Sequence, residues 1–279
     1  MQFKDFEKFS PSVWAYDVRD QLKRHIYDRA ERALARGETE RDAIRTPTQL
    51  RRRQTEVRNY FTKCLGGLPS RTTPLNAQVT GVNKGRGFTV ENIIFESRPQ
   101  HFVTANLYIP TGITKPRGAV LYICGHCPNG RPSKGYQAIF QPLVQAGLIV
   151  MIQDTFAQGE RFAYRDVPKK KSPPVTPSGE HEYAGNQCLP LGDGVARYFL
   201  HDALRGIDYL FSRPEVDTKH IGVTGESGGG LHTTMLMMSE PRIAAAAPGL
   251  CITKRRDYML TGGSQDAEQI WRGFTAAGF

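Results

Sequence analysis

Apolar and polar positions along the chain change period several times, and each change marks an element. Val13, Trp14, Val18, Leu22 and Ile26 recur at helical spacing and predict an N-terminal helix. A second helix is predicted over residues 48–65, opened by Thr46-Pro47 and stopped by Gly66-Gly67. From Leu75 the texture turns to short strand-like runs, residues 77–82, 88–96 and 101–109, separated by Gly and Pro clusters. These predict an antiparallel entry sheet. The change of texture suggests a helical extension over residues 1–70 and an α/β domain over residues 71–279.

After Pro116-Arg117-Gly118, the continuous run Ala119-Val120-Leu121-Tyr122-Ile123-Cys124 has the composition of a strand buried on both faces of a parallel sheet. A helix over residues 136–146, stopped by Gly147, and a second buried strand over residues 148–154 complete a β-α-β order. A long polar excursion to about Asp193 follows. Next comes a periodic helix with Val195, Tyr198, Phe199, Ala203, Ile207, Leu210 and Phe211 on one face, ended by Ser212-Arg213-Pro214. The strand Ile221-Gly222-Val223-Thr224 then runs into Gly225-Glu226-Ser227-Gly228-Gly229 and a further helix, and residues 243–247 read as another strand.

Charge changes this picture little. The formal net charge is +10, from 37 basic and 27 acidic residues. Between Arg19 and Arg58, however, bases alternate with Asp20, Asp28, Glu31, Glu38, Glu40 and Asp42, as on solvated helix faces. No nucleic-acid partner is expected, and Lys169-Lys170-Lys171, set among prolines, reads as a surface loop. No run of eighteen apolar residues and no basic-then-apolar leader is visible, so a soluble, cytoplasmic protein without a membrane partner is the default expectation. Five irregularly spaced cysteines argue for reduced thiols. Cys124-Gly125-His126-Cys127 has thiol-oxidoreductase spacing, but the Pro128 and Pro132 that follow disfavour the helix such a site needs. No cofactor and no metal-ligand set is expected.

The candidate chemistry lies in the order strand, glycine-rich turn, helix around Ser227. A serine on such a turn has its hydroxyl lifted above the sheet. Side chains at Gly225 and Gly229 would collide as strand and helix approach, and the Gly228 N–H is left to face a developing oxyanion at a helix N-terminus. A phosphate-binding turn is the alternative. A P-loop is excluded because no Gly-Lys-Ser/Thr follows at the required spacing.

Several segments together resemble acetyl-xylan-esterase-like α/β hydrolases, relatives of cephalosporin-C deacetylases. They are Ile123-Cys124-Gly125-His126, Asp154 with Gln158-Gly159-Glu160-Arg161, residues 180–188, Ser212-Arg213-Pro214-Glu215-Val216-Asp217, the turn at Ser227, and Gln265-Asp266-Ala267-Glu268-Gln269. The resemblance spans Gly118 to Phe274. It implies an α/β-hydrolase fold, with a mostly parallel central sheet flanked by helices. It also implies hydrolysis of a carboxylic ester, plausibly an acetylated carbohydrate, with Ser227 as nucleophile, Gly228 N–H as one oxyanion donor and Cys127 N–H as the second. His126 is a further catalytic candidate.

In this fold the order along the chain is nucleophile, acid, histidine. After Ser227 the sequence holds only His232, expected to point away from the serine into a buried or capping role, while Asp257 and Asp266 read as surface or loop carboxylates. His181 could contact substrate, and His201 reads as structural. The expectation is therefore of a hydrolase lacking its last strands at the C-terminus, inactive or nearly so. A prolyl-oligopeptidase-like serine peptidase and a non-catalytic hydrolase-fold binding protein are the alternatives, the former disfavoured because no propeller repeats are visible.

Overall fold

The computed structural model describes residues 20–164, 176–260 and 266–279. Val13, Trp14, Val18 and the Lys169–Lys171 run lie outside them. The chain divides into two compact units.

The described part of the smaller unit comprises residues 20–45, 254–260 and 275–279. Its long helix α1 (Gln21–Asp42) turns Ala33, Leu34 and Gly37 inward. Gly37 has no room for a side chain, because a Cβ there would lie 1.8 Å from the Gly278 carbonyl oxygen. Arg256 pairs with Glu31 and Glu38, each at 2.8 Å. Of the apolar residues that predicted an N-terminal helix, the two among the described residues lie off its buried face: Leu22 is 73% and Ile26 44% exposed.

The larger unit, residues 46–253 and 264–274, carries the sheet. It opens with α2 (Pro47–Cys64), whose first turn is closed by a capping box between Thr46 and Gln49. The compact units divide between Arg45 and Thr46 rather than at residue 70. The physical reason is that α2 ends in a fully buried Phe61, packed edge-on against Trp271 and Phe274 at 4.8 and 6.0 Å.

The strands are β1 (Gln78–Gly85), β2 (Phe88–Arg98), β3 (His101–Pro110), β4 (Arg117–Ile123), β5 (Ile149–Gln153), β6 (Val216–Glu226) and β7 (Ala245–Gly249). Among the described residues these seven form one sheet in the order β1-β2-β3-β5-β4-β6-β7. The entry strands β1, β2 and β3 pair antiparallel, as the alternating segments predict, and β3 also meets β5 antiparallel. From β5 through β4 and β6 to β7 the pairing is parallel. All five residues of β5 are buried, which explains its unbroken apolar run.

Alternation along β4 and β5 sends neighbours to opposite faces. Tyr122, Val150 and Ile152 pack with Tyr136, Phe140 and Val144 of α3 (Lys134–Gln145). Leu121 and Met151 lie in the other core layer, with residues of α5 (Ala196–Ser212) and α6 (Gly228–Ser239). The polar excursion contains a helix that periodicity did not predict, α4 (Pro177–Cys188), started by Thr176, whose hydroxyl accepts from Gly179 N–H at 3.1 Å. No helix among the described residues is long and apolar enough to cross a membrane.

Candidate active site

Strand β6 ends at Glu226 in the middle of the parallel half of the sheet, and α6 begins two residues later. Ser227 lies between them with φ 54° and ψ −120°, a conformation that L-residues with side chains rarely hold. It is exposed, and its hydroxyl makes no hydrogen bond among the described residues. The turn is this sharp because strand and helix nearly touch. A Cβ on Gly229 would fall 2.0 Å from the Ile123 carbonyl oxygen, and one on Gly225 would fall 2.5 Å from it. Gly228 is the first residue of α6, so its N–H has no partner within the helix.

Beside the turn runs the loop after β4. A Cβ on Gly125 would lie 3.3 Å from that of Ser227. The Gly125 carbonyl is held by Gln158 Nε2 at 2.5 Å and by the Tyr136 hydroxyl at 3.3 Å. The Cys127 N–H also donates to it, at 2.6 Å. In this conformation the Cys127 N–H is therefore directed into its own loop. The segments around Asp154 and Arg161 hold the same region in place. Buried Asp154 pairs with Arg131 and accepts from Thr104 at 3.0 Å, and Arg161 meets Asp202 at 2.6 Å. Burial pushes the Cys124 thiol well above its ordinary range, and no helix starts at the Cys124–Cys127 motif, so nothing here stabilises a reactive thiolate.

The residues that the structure gathers next to Ser227 are His126, His181, His232, Asp266 and Glu268. His126 Nε2 lies 3.4 Å from both Asp266 Oδ2 and Glu268 Oε1. His181, on α4, places Nδ1 3.0 and 3.1 Å from the two oxygens of Asp266, while its Nε2 is 3.2 Å from the Phe156 carbonyl. His232, on α6, meets Glu268 Oε2 at 2.7 Å. The ring of Phe199 lies 4.7 Å from that of His181 and 4.8 Å from that of His232. The cluster abuts the serine turn, since a Cβ on Gly228 would lie 2.8 Å from His126 Cε1 and 3.0 Å from Glu268 Oε1.

The cluster corrects the reading of Asp266 as a surface carboxylate, for it is 8% exposed and hydrogen-bonded. Asp257 is exposed on a short helix, Arg255–Leu260, of the smaller unit. Glu268, fully buried, entered the sequence reading only within the 265–269 segment of the resemblance and was given no role there. Burial opposes its charge, but His232 and the neighbouring His126 and His181 outweigh that and hold its carboxyl well below the usual carboxylate range. His126 is displaced the other way. Burial lowers its proton affinity, yet Glu268 and then Asp266 raise it above the ordinary imidazole value. His232 takes the buried role expected of it, and His201 donates to the Ser97 carbonyl at 2.9 Å away from this cluster.

No family model matches the chain, and no curated protein matches it in sequence. Solved structures do resemble it. A candidate acetyl xylan esterase from Bacteroides fragilis NCTC 9343 is 19% identical with a TM-score of 0.61, covering 72% of this chain and 54% of its own. A methylesterase is 24% identical with a TM-score of 0.62, covering 78% of this chain and 45% of its own. A glucuronoyl esterase from Solibacter usitatus is 17% identical with a TM-score of 0.54, covering 77% of this chain and 63% of its own. The chain thus spans about half the length of the first two. The likeness establishes the fold alone, that of the α/β hydrolases.

Proposed function

We propose that this chain carries the nucleophile of a serine-dependent carboxylic ester hydrolase, and that its substrate is an acetylated carbohydrate or a related small ester. The observation that carries the proposal is Ser227 itself, exposed and held at positive φ between a central strand and a helix N-terminus. That is where an attacking hydroxyl needs to be. The structural neighbours, named as esterases of xylan acetyl, methyl and glucuronoyl groups, support the substrate class.

In the proposed reaction Ser227 Oγ attacks the ester carbonyl carbon. The oxyanion forms opposite the Gly228 N–H, with the dipole of α6 behind it. The tetrahedral intermediate collapses with loss of the alcohol, leaving the acyl group on Ser227, and water later displaces it. A second donor from Cys127 requires its N–H to leave the Gly125 carbonyl when substrate binds. No histidine among the described residues is hydrogen-bonded to Ser227 Oγ, so the serine proton reaches the departing alcohol, and later a water proton reaches Ser227 Oγ, through solvent, without the positioned general base that contributes about 10²–10⁴-fold in such enzymes. Turnover of the 279-residue chain is accordingly slow, and the acyl-enzyme persists.

Incubation with p-nitrophenyl acetate, acid quench and peptide mass spectrometry test this. Acetyl is expected on the peptide containing Ser227 and absent from it in Ser227→Ala. Acetylation spread over surface lysines with none on Ser227 would count against the nucleophile.

A further inference from the structure

We propose that His126, His181, Asp266 and Glu268 form a binding site for a divalent transition-metal ion of the zinc class. One coordinating atom from each lies within 4.8 Å of the others. The site is independent of the esterase reading, since it rests on the cluster beside the turn rather than on Ser227.

The spacing fits. Tetrahedral zinc with bonds of about 2.0–2.2 Å sets adjacent donors about 3.3–3.6 Å apart. Here His126 Nε2 is 3.4 Å from both Asp266 Oδ2 and Glu268 Oε1. His181 Nδ1 is 3.1 Å from Asp266 Oδ2, and all four ligand atoms lie within 4.8 Å of one another, so the wider pairs close inward when an ion binds. Calcium and magnesium favour all-oxygen shells, whereas two imidazoles with two carboxylates suit zinc and its first-row neighbours.

Proton accounting points the same way. The partner of His181 Nε2 is a backbone carbonyl, which can only accept, so Nε2 carries the hydrogen. In that tautomer Nδ1 offers its lone pair to an ion shared with Asp266, 3.1 Å away. That tautomer, fixed by a carbonyl, is the one seen in metal-ligating histidines. Glu268 adds an independent sign. It is fully buried, its Oε2 is taken up by His232, and its Oε1 has no hydrogen-bond partner among the described residues. His126 Nε2, 3.4 Å away, likewise has none. Two orphaned donor atoms facing each other in a buried pocket suit a shared ion. An outer shell is in place as well, because His232 orients Glu268 and the Glu268 N–H donates to Asp266 Oδ1 at 3.0 Å. The His126 side chain is 24% exposed, which leaves an entry path on its side.

The test is to strip the purified full chain with chelator and titrate it with Zn²⁺ by calorimetry and with Co²⁺ by visible absorption. A single ion per chain is expected, with the intense ligand-field bands of tetrahedral cobalt. Binding should be lost in His126→Ala and in Asp266→Asn, the second being nearly isosteric and so retained as a folded control by circular dichroism. His232→Ala, which alters only the outer shell, should weaken binding about 10–100-fold. Absence of stoichiometric binding would overturn the site, as would binding that survives both ligand variants. So would nitrogen NMR showing both ring nitrogens of His181 protonated in a chain that takes up no metal. None of these readouts uses ester turnover, so failure here leaves the role of Ser227 standing.

Discussion

Ser227 is a residue whose backbone, more than its side chain, announces a role. Its positive φ costs of order 1–3 kcal/mol and persists only because the flanking glycines let strand and helix close on it. The sequence showed that much, since glycines before and after a serine between a strand and a helix have few other uses. It did not show the cluster. His126, His181, His232, Asp266 and Glu268 are spread over more than 140 positions, and no local pattern links them. Asp-Ala-Glu spacing near the end of the chain was a signal only in hindsight, because a 3₁₀ turn over Ala267–Gln269 brings both carboxylates to one side.

The support for this region makes its own prediction. Asp202 is buried, but Arg161 and then His101 outweigh that burial and hold its carboxyl well below the ordinary aspartate range. With the folded value below the unfolded one near 3.9, the unfolded chain binds more protons between the two. The contribution is therefore full above about pH 4 and is lost as pH falls through the folded value. Asp202→Asn should cost about 3–5 kcal/mol near neutral pH by leaving the Arg161 charge buried and unpaired. It should also flatten the acid limb of a urea-denaturation stability profile. An unchanged acid limb would show that this pair does not govern it.

At the scale of elements, strong periodicity was a faithful guide where it came from burial. β4, β5, α3 and α5 all fall within a few residues of their sequence-based limits, because a core fixes which positions are apolar. It misled where apolar residues stay exposed, as on α1, and was silent for α4. That helix has buried Glu180 and His181 on its inward face, polar residues with specific partners rather than an apolar stripe. α2 illustrates the opposite case. Seen from the sequence as part of an extension, it belongs to the larger unit through Phe61. Phe61→Ala should lower stability by about 3–5 kcal/mol in urea denaturation, the range for emptying a core phenylalanine site. A loss below about 1 kcal/mol would place α2 outside the cooperative core.

At the scale of the whole molecule, the fold is shared with solved esterase structures at 17–24% identity, where only the fold is held in common. The resemblance of short motifs to acetyl-xylan-esterase-like hydrolases and the likeness of the folded chain therefore reach the same architecture by different routes. Chemistry depends on less than architecture. It depends on whether the serine turn acts on an ester at all. The deciding measurement is steady-state hydrolysis of p-nitrophenyl acetate by the 279-residue protein beside its Ser227→Ala variant. The expected rate is about 10²–10⁴-fold below the roughly 10 s⁻¹ typical of enzymes, and it falls to the uncatalysed background in the variant. Equal rates for the two proteins would contradict the assignment of Ser227 as the nucleophile.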